Sequence, residues 1–330
     1  MKIAILGAGV AGALLGALLS NKGYDVYVYD IRKEYEKACG DAVPTDYKPI
    51  IPWNTKVRIK RFVFTLDSQD SYSISYNYSK WQIIDKWEWI NRLRAQIKNF
   101  NVKDSRFIDP KGYDLVINAK GPYNMDAEIV YTTRAIVKVP EIFDYVVFDF
   151  DSNLTGFYWI FPSEIGDNET ILNIGGGFLE TKINRDLLMD YIRKKFPKFE
   201  VMDVRGAPIT LSEPKDKNNR IGEARGLVFP LSGEGIRPSA ISAELAFEAI
   251  EKEKELNSFI EANMKKFISR IRIQRLLLNL YIKSQNREFR RSLLRLLFKR
   301  DYLLDAYLED KIDLEGINES IRLIKYGTAT

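Results

Sequence analysis

The sequence predicts an α/β fold: a parallel-sheet core of Rossmann type, an interleaved antiparallel-sheet insert and a C-terminal helical tail. Three observations carry this. A glycine-rich turn, Gly7 to Gly12, joins a short apolar strand to a helix. Segments within 56–78 and 128–178 alternate with the period of half-buried strands. From 256 to 325, apolar residues recur at helical spacing. With 330 residues, 45% of them hydrophobic, the chain can bury a large core, and its length suggests roughly two domains.

Residues 2–6 (Lys-Ile-Ala-Ile-Leu) form a buried parallel strand, and 11–22 a helix that closes at Gly23, a favourable C-cap. Residues 25–30 are the next strand, so the chain opens as a βαβ unit. The turn Gly7-Ala8-Gly9-Val10-Ala11-Gly12 has the form GxGxxG, and Asp30 ends the second strand 18 residues past Gly12. In this context Gly7 permits the tight turn, Gly9 lets a pyrophosphate approach the backbone, and Gly12 lets the helix pack on the strand. The helix N-terminus offers free N–H groups and a positive dipole end to phosphates, and Asp30 can accept from a ribose diol. GxGxxG alone is a weak signal, and a Gly/Ala-rich helix packed on a sheet would produce it. The flanking strand, the helix and Asp30 together favour a dinucleotide site without separating FAD from NAD.

Residues 56–66 and 70–78 pair as a hairpin around Asp67–Gln69. An amphipathic helix follows at 84–99, then short strands near 102–108 and 113–119. Several antiparallel strands fill 128–178, and a helix at 184–196 ends before Pro197. A loop rich in Lys, Asp and Asn, 213–220, precedes a glycine-rich stretch, 222–235, and a long helix, 236–253. The expected division is a discontinuous nucleotide-binding domain (1–50, 80–125 and 203–253), a β-rich substrate domain (51–79 and 126–202) and a helical region (254–330). No internal repeat is visible.

Composition narrows the chemistry. Cys39 is the only cysteine and there is no histidine. An internal disulfide, a four-cysteine zinc site, Ser-His-Asp catalysis and most metal-site designs are excluded, so no metal is expected. Redox chemistry must come from a bound cofactor, and protons from carboxylate, Lys, Tyr, Cys or water. The apolar run Ile3–Leu19 after Lys2 imitates a signal peptide, but its ordered glycines and the strand that follows argue against one. No other segment approaches the ~20 apolar residues of a spanning helix. The expectation is a cytoplasmic protein.

Three further segments resemble the geranylgeranyl reductase family of flavoproteins, which have the p-hydroxybenzoate hydroxylase-like fold. Ala38-Cys39-Gly40-Asp41-Ala42 matches the family's Cys-Gly loop, which runs beside the flavin. Tyr158-Trp159-Ile160-Phe161-Pro162, followed by Asn173-Ile174-Gly175-Gly176-Gly177, looks like its Tyr-x-Trp-x-Phe-Pro element and downstream Gly-x-Gly strand, with Trp159 one place early. Gly226 to Pro238 (GLVFPLSGEGIRP) closely resembles its second flavin motif. The chain departs from the family at Gly222-Glu223-Ala224, where Gly-Asp-Ala is usual, and at Ala119-Lys120-Gly121, where Ala-Thr-Gly is usual. A β-meander common in relatives has no counterpart before Asn118. The resemblance implies a compact, divergent FAD-dependent oxidoreductase.

It also implies site residues. Gly7, Gly9, Gly12, Asp30, Cys39, Gly40, Asp41, Gly121, Glu223, Gly233, Gly235 and Ile236 would hold FAD. The glycines before Ile236 would aim a second helix N-terminus at the flavin, where a positive dipole end favours its anionic reduced form. Cys39 and Tyr158 are the catalytic candidates, although a lone cysteine is commonly an inert buried hydrophobe. Asp41 and Glu234 are candidates for tuning charge at the flavin. Tyr158, Trp159, Phe161 and Pro162 would wall an apolar substrate cavity, although an aromatic strand is also ordinary core. The implied reaction is reduction of C=C bonds in the polyprenyl chain of a lipid or quinone. The alternatives are a monooxygenase or oxidase of the same fold, or a non-catalytic flavin-binding scaffold. No second GxGxxG marks an NAD(P)H site, so the electron donor is either a ferredoxin-like protein or transiently docked NAD(P)H.

Residues 265–300 hold twelve Lys/Arg and one acid, Glu288, in a chain whose net charge is +5. The basic residues interleave with Ile, Leu and Phe at helical spacing. This fits peripheral docking on an anionic membrane at the inner face of the cell, or capture of a lipid phosphate head group. It fits equally a solvated face packed on the core. Nothing resembles a nucleic-acid recognition motif, so no nucleic-acid partner is expected.

Overall fold

The computed structural model describes residues 1–123, 128–214, 219–284 and 286–326. The chain opens as the motif requires. β1 (Lys2–Leu6) leads into α1 (Val10–Asn21) and β2 (Asp25–Asp30). Then come β3 (Ala42–Pro44), β4 (Thr55–Ile59), β5 (Arg61–Leu66), β6 (Asp70–Ser75) and β7 (Trp81–Ile84). α2 (Lys86–Ala95) starts where the Asp85 carboxylate accepts the N–H of Glu88 at 3.1 Å, an N-cap that fixes its first turn. β8 (Asn99–Val102) and β9 (Leu115–Asn118) complete the first part. Between them, residues 103–114 hold two 3-10 turns and no strand, so the meander is absent.

The β-rich part contains β10 (Ile129–Val139), β11 (Val146–Phe150), β12 (Gly156–Ile165), β13 (Thr170–Phe178), α3 (Arg185–Lys195) and β14 (Glu200–Thr210). The helices α4 (Ile236–Glu251), α5 (Leu256–Asn263), α6 (Lys265–Lys283), α7 (Arg287–Phe298), α8 (Asp301–Leu308) and α9 (Leu314–Tyr326) finish the described chain.

The described strands form three sheets. The first is parallel, in the order β8-β2-β1-β9, with α1 packed between α2 and α4. The second is small and antiparallel, β3-β7-β4. The third has the order β14-β10-β13-β12-β11-β5-β6 and is antiparallel except where β11 runs parallel to β5. Its two faces bury separate cores. One packs Val137, Ile160 and Ile174 against Leu188 and Ile192 of α3. The other packs Phe64, Phe148, Trp159 and Phe161 with Phe298 of α7 and Tyr307 of α8.

Several elements differ from expectation. The segment 56–66 is two strands broken at Lys60, one in each antiparallel sheet. β7 was not expected and overlaps the expected helix 84–99 only at Ile84, because a short run buried on both faces has no period to betray it. The strand expected near 102–108 is β8 at 99–102. β14 was not expected at all, since Asp203, Arg205, Gly206 and Pro208 hide its pattern; it is an edge strand, where proline is tolerated. β14 thus carries the large sheet beyond residue 202, where the β-rich part was expected to end. Residues 215–218 of the expected 213–220 loop lie outside the described residues.

Candidate functional site

The first sheet, the Cys39 loop and α4 meet at a cavity of about 1190 Å³. At its polar end the glycine turn does what its spacing demands. Gly7 has φ +97, and a Cβ there would lie 2.5 Å from the Ala119 carbonyl oxygen; a Cβ on Gly12 would lie 1.9 Å from that of Gly7. Gly9 is different, for nothing stands within 4 Å of where its Cβ would be. Gly9 lines the cavity, so a side chain there would occupy cavity space rather than strike the protein. Gly9 is also the N-cap of α1 and makes no side-chain cap, so the first amides of the helix face the cavity free.

Asp30 closes this end. Its Oδ2 accepts the Ala8 N–H at 2.7 Å and stands 3.2 Å from Arg94 Nη2, while Oδ1 accepts the Arg32 N–H at 3.1 Å. Arg94, buried on α2, also donates to the Ala8 carbonyl at 2.9 and 2.7 Å. Arg94 thus clamps the glycine turn to Asp30, and a carboxylate with four lone-pair sites keeps room for a ribose hydroxyl. Across the cavity, Glu223 accepts from Lys37 Nζ at 2.5 Å and from the Thr210 N–H at 3.0 Å. Gly121 has φ +66, with Glu223 Oε2 3.6 Å from its would-be Cβ.

The middle of the cavity is the Cys39 loop. Asn173 Nδ2 donates to the Cys39 carbonyl at 2.7 Å, and Trp159 Nε1 donates to Asn173 Oδ1 at 3.1 Å. Gly40 sits flat under Phe161, whose ring lies 2.8 Å from a would-be Cβ. Asp41 adopts φ +57 and pairs with Lys86 Nζ at 2.8 Å. Burial alone would push the Lys86 ammonium down, but Asp41 and its neighbours hold it well above its ordinary value. The half-buried Cys39 lines the cavity.

On the far side, Gly233 has φ +74, and nothing stands within 4 Å of its would-be Cβ. It is the second open-sided glycine in the cavity. Gly235 is the N-cap of α4 and packs on Val228, and Ile236 is buried at the first helical position. The N-terminus of α4 is not bare, because Glu234 Oε1 accepts the Arg237 N–H at 2.8 Å. Burial raises the Glu234 carboxyl and the Arg237 guanidinium opposes that shift. Arg237 Nη2 lies 3.7 Å from Asp310 Oδ2, and Ser232 Oγ donates to Asp310 Oδ1 at 2.6 Å.

Strand β12 corrects two expectations. Successive side chains alternate across a sheet. Phe157, Trp159 and Phe161 face the cavity, while Tyr158 does not line it. Tyr158 stacks on Tyr191 of α3 at 3.9 Å between ring centroids, on the opposite face. It is therefore neither a proton donor to the cavity nor a wall of it. Pro162 likewise does not line the cavity. The other expected site residues that line the cavity are Gly7, Gly9, Asp30, Cys39, Gly40, Asp41, Gly121, Glu223, Gly233, Gly235, Ile236, Trp159 and Phe161. Gly12 does not line it and acts through packing.

Lys86 and Arg94 were missed. Both lie on the apolar line of α2 that carries Ile90 and Leu93, and a charge on such a line is the signal that would have found them.

Among the described residues no cluster suits a metal ion, and no helix is long and apolar enough to cross a membrane. No protein-family model matches the chain, and no curated protein does. Solved structures do. A geranylgeranyl bacteriochlorophyll reductase-like protein from Thermoplasma acidophilum superposes with a TM-score of 0.67 at 15% identity, over 97% of this chain and 95% of that one. A p-nitrophenol 4-monooxygenase from Pseudomonas putida gives 0.63 at 12%, over 96% and 98%. A halogenase in complex with FAD gives 0.57 at 12%, over 98% and 95%. What these likenesses establish is the fold: this chain has the Rossmann-type architecture that those flavoenzymes share.

Proposed function

We propose that this chain is an FAD-dependent oxidoreductase that reduces C=C bonds in the polyprenyl chain of a lipid or quinone. The observation that carries this is the continuity of one cavity. It runs from the open-sided Gly9 at the N-terminus of α1, past Cys39 and Gly233, to Phe148, Phe157, Trp159 and Phe161, and on to leucines of α6 and α7. A cavity that is polar and anion-seeking at one end and greasy at the other fits a dinucleotide end to end with a hydrocarbon.

The residues fit FAD. Free amides of α1 and the bare Gly9 would take the pyrophosphate, Asp30 the ribose, and the Gly233–Ile236 turn the isoalloxazine edge. Bound reduced FAD would supply hydride. The protein would exclude water, orient the chain by apolar burial at ~25 cal/mol per Å², and supply a proton to the second carbon. The sequence has no histidine and Tyr158 faces away; Cys39 Sγ, which lines the cavity beside the Gly40 turn, would supply that proton. The departures at Lys120 and Glu223 keep both residues on the cavity wall. The electron donor would be a ferredoxin-like protein or transiently docked NAD(P)H.

The test is a single-turnover reaction. Dithionite-reduced holoprotein is mixed anaerobically with a geranylgeranyl lipid, and the products are weighed by mass spectrometry. Gain of two hydrogens per bond, with flavin reoxidation, is expected. Insertion of one oxygen atom on admitting air would make the protein a monooxygenase, and a substrate that never alters flavin reoxidation would make it a scaffold. Cys39→Ser should retain FAD yet slow this turnover at least tenfold, ~1.4 kcal/mol of barrier; unchanged turnover returns Cys39 to the inert core.

A further inference from the structure

Helices α6 and α7 carry most of the positive charge of the tail; each of their seven arginines stands within 4.0 Å of a carboxylate of the fold, while Lys265, Lys266, Arg272, Lys283 and Arg287 stay exposed. On α7, Arg291 Nε stands 3.3 Å from Asp67, in the turn joining β5 to β6, and Arg295 Nη2 2.7 Å from Asp70, the first residue of β6. Arg290 is buried, donating to the carbonyls of Ser284 and Ile282 at 2.6 and 3.2 Å. On α6, Arg270 pairs with Asp313 at 2.6 Å and Arg275 with Glu128.

Each helix buries part of its apolar surface, Ile268, Ile271 and Leu278 on α6 and Leu294 and Phe298 on α7, and leaves a further apolar stripe outside. Leu276 and Leu280 on α6 are 60% and 56% exposed. Phe289, Leu293 and Leu296 on α7, spaced by four and three residues, are 55%, 42% and 56% exposed. These stripes belong to the cavity, because Leu280, Phe289, Leu293 and Leu296 all line it. The exposed patch is the open side of the cavity itself. Whatever covers it must be apolar and continuous with whatever fills the cavity, and contiguous exposed apolar surface of this kind marks a contact with lipid or protein.

We propose that the paired stripes of α6 and α7 are a lipid-docking surface, seated in a bilayer by apolar insertion, through which the cavity opens to the hydrocarbon. Two details favour lipid over a protein partner. Lys283 lies one turn past Leu280 and Lys299 one turn past Leu296. Both are exposed, and neither has a carboxylate partner among the described residues. At the ends of an inserted stripe such lysines extend to the phosphates that every phospholipid carries, zwitterionic or anionic. Most of the arginine charge is already neutralised within the fold, so anionic lipid adds little. This differs from electrostatic docking of the basic tail in both lipid preference and salt dependence. The proposal rests on the substrate-cavity reading for its purpose, but docking requires no turnover.

The experiment is co-sedimentation of the full chain with vesicles of phosphatidylcholine alone, or of phosphatidylcholine mixed with phosphatidylglycerol, at low and high salt. Binding to both vesicles should agree within about threefold and survive high salt, as apolar insertion requires. The double variant Leu276→Glu/Leu296→Glu should bind neutral vesicles at least ~10-fold more weakly with its thermal midpoint kept, since both residues are exposed in the free protein. Binding confined to anionic vesicles and abolished by salt would overturn the proposal in favour of electrostatic docking. Absence of binding to any vesicle would overturn it too, as would a concentration-dependent dimer that the variant dissolves, which would assign the patch to a second copy of the chain. A colourless protein that still sediments with neutral vesicles would sink the flavoenzyme and leave the docking surface standing.

Discussion

Two helix N-termini face the same cavity and are built differently. That of α1 is bare: Gly9 carries no side chain, caps nothing, and has open space where a Cβ would be. That of α4 is already answered, since Glu234 accepts an amide of its first turn and is itself held by Arg237. A helix end carries roughly half a positive charge, enough to stabilise an anion by about 0.3–1 kcal/mol at an exposed site. The end at α1 is left for a ligand that brings its own negative charge. The end at α4 has its own carboxylate, and beyond it a buried chain from Arg237 to Asp310 in the C-terminal region. On the proposed reading, this contrast would give the phosphates to α1 and the isoalloxazine to α4.

The largest expected effect breaks the first half of that contrast. Gly9→Val should abolish FAD binding, at least a hundredfold or ~2.7 kcal/mol, because the new side chain fills the one open place in the glycine turn. The fold should survive, since Gly9 has φ −77 and no atom to strike. Gly12→Val should instead unfold the protein, its Cβ lying 1.9 Å from a carbonyl oxygen. Flavin titration beside circular-dichroism melting separates the two, and full flavin binding by the Gly9 variant would refute the phosphate assignment.

Next comes the chain behind α4. Arg237→Leu would strand Glu234 in the interior without the cation that stands 3.4 Å from it. Breaking a buried ion pair from one side is worth ~3–5 kcal/mol, to be read from urea denaturation midpoints. A loss under ~1 kcal/mol would mean that the chain is not the electrostatic unit its distances imply.

The two helix ends also differ in how far sequence betrays them. The α1 end is a local object: three glycines, a strand and Asp30, all within thirty residues, fix a backbone path that admits few alternatives. The α4 end was legible as glycines before a helix, but its partner Asp310 lies 73 residues beyond Arg237 and no spacing announces it. The tail shows the same limit more strongly. Its amphipathic pattern was plain, yet which face turns inward depends on Asp67 and Asp70, more than 200 residues earlier. Tyr158 failed for a smaller reason. On a strand, one residue of register decides the face, and the aromatic run Phe157–Trp159 gives no alternation in hydrophobicity from which to choose.

Asp310 offers a subtler break. Burial first, then Glu234, push its carboxyl up to about 8, against the pull of Arg237 and the hydrogen bonds from Ser232 and Gln274. Unfolded, it would release its proton near ~3.9. Between those values unfolding releases a proton, so stability is fully present below ~4 and falls as pH rises towards about 8, by up to ~1.4 kcal/mol per unit. Asp310→Asn should flatten that slope, matching wild type near pH 5 and exceeding it near pH 8 in melting temperature. Parallel pH profiles for the two proteins would show that Asp310 is not what titrates.

The smallest effect sharpens the comparison most. If the α4 end is compensated by an ionised Glu234, then Glu234→Gln uncovers its positive pole while keeping a hydrogen-bond acceptor for the Arg237 N–H. An uncovered helix end is worth ~0.3–1 kcal/mol to the anionic reduced flavin. For a two-electron couple, where 30 mV corresponds to ~1.4 kcal/mol, the midpoint potential should rise by roughly 6–20 mV. The sign is fixed, because removing negative charge favours the form that carries more of it. A dye-equilibration titration resolves such a shift. No change would mean that Arg237 had already cancelled the carboxylate, leaving α4 as open electrostatically as α1, and the difference between the two ends would then lie in shape alone.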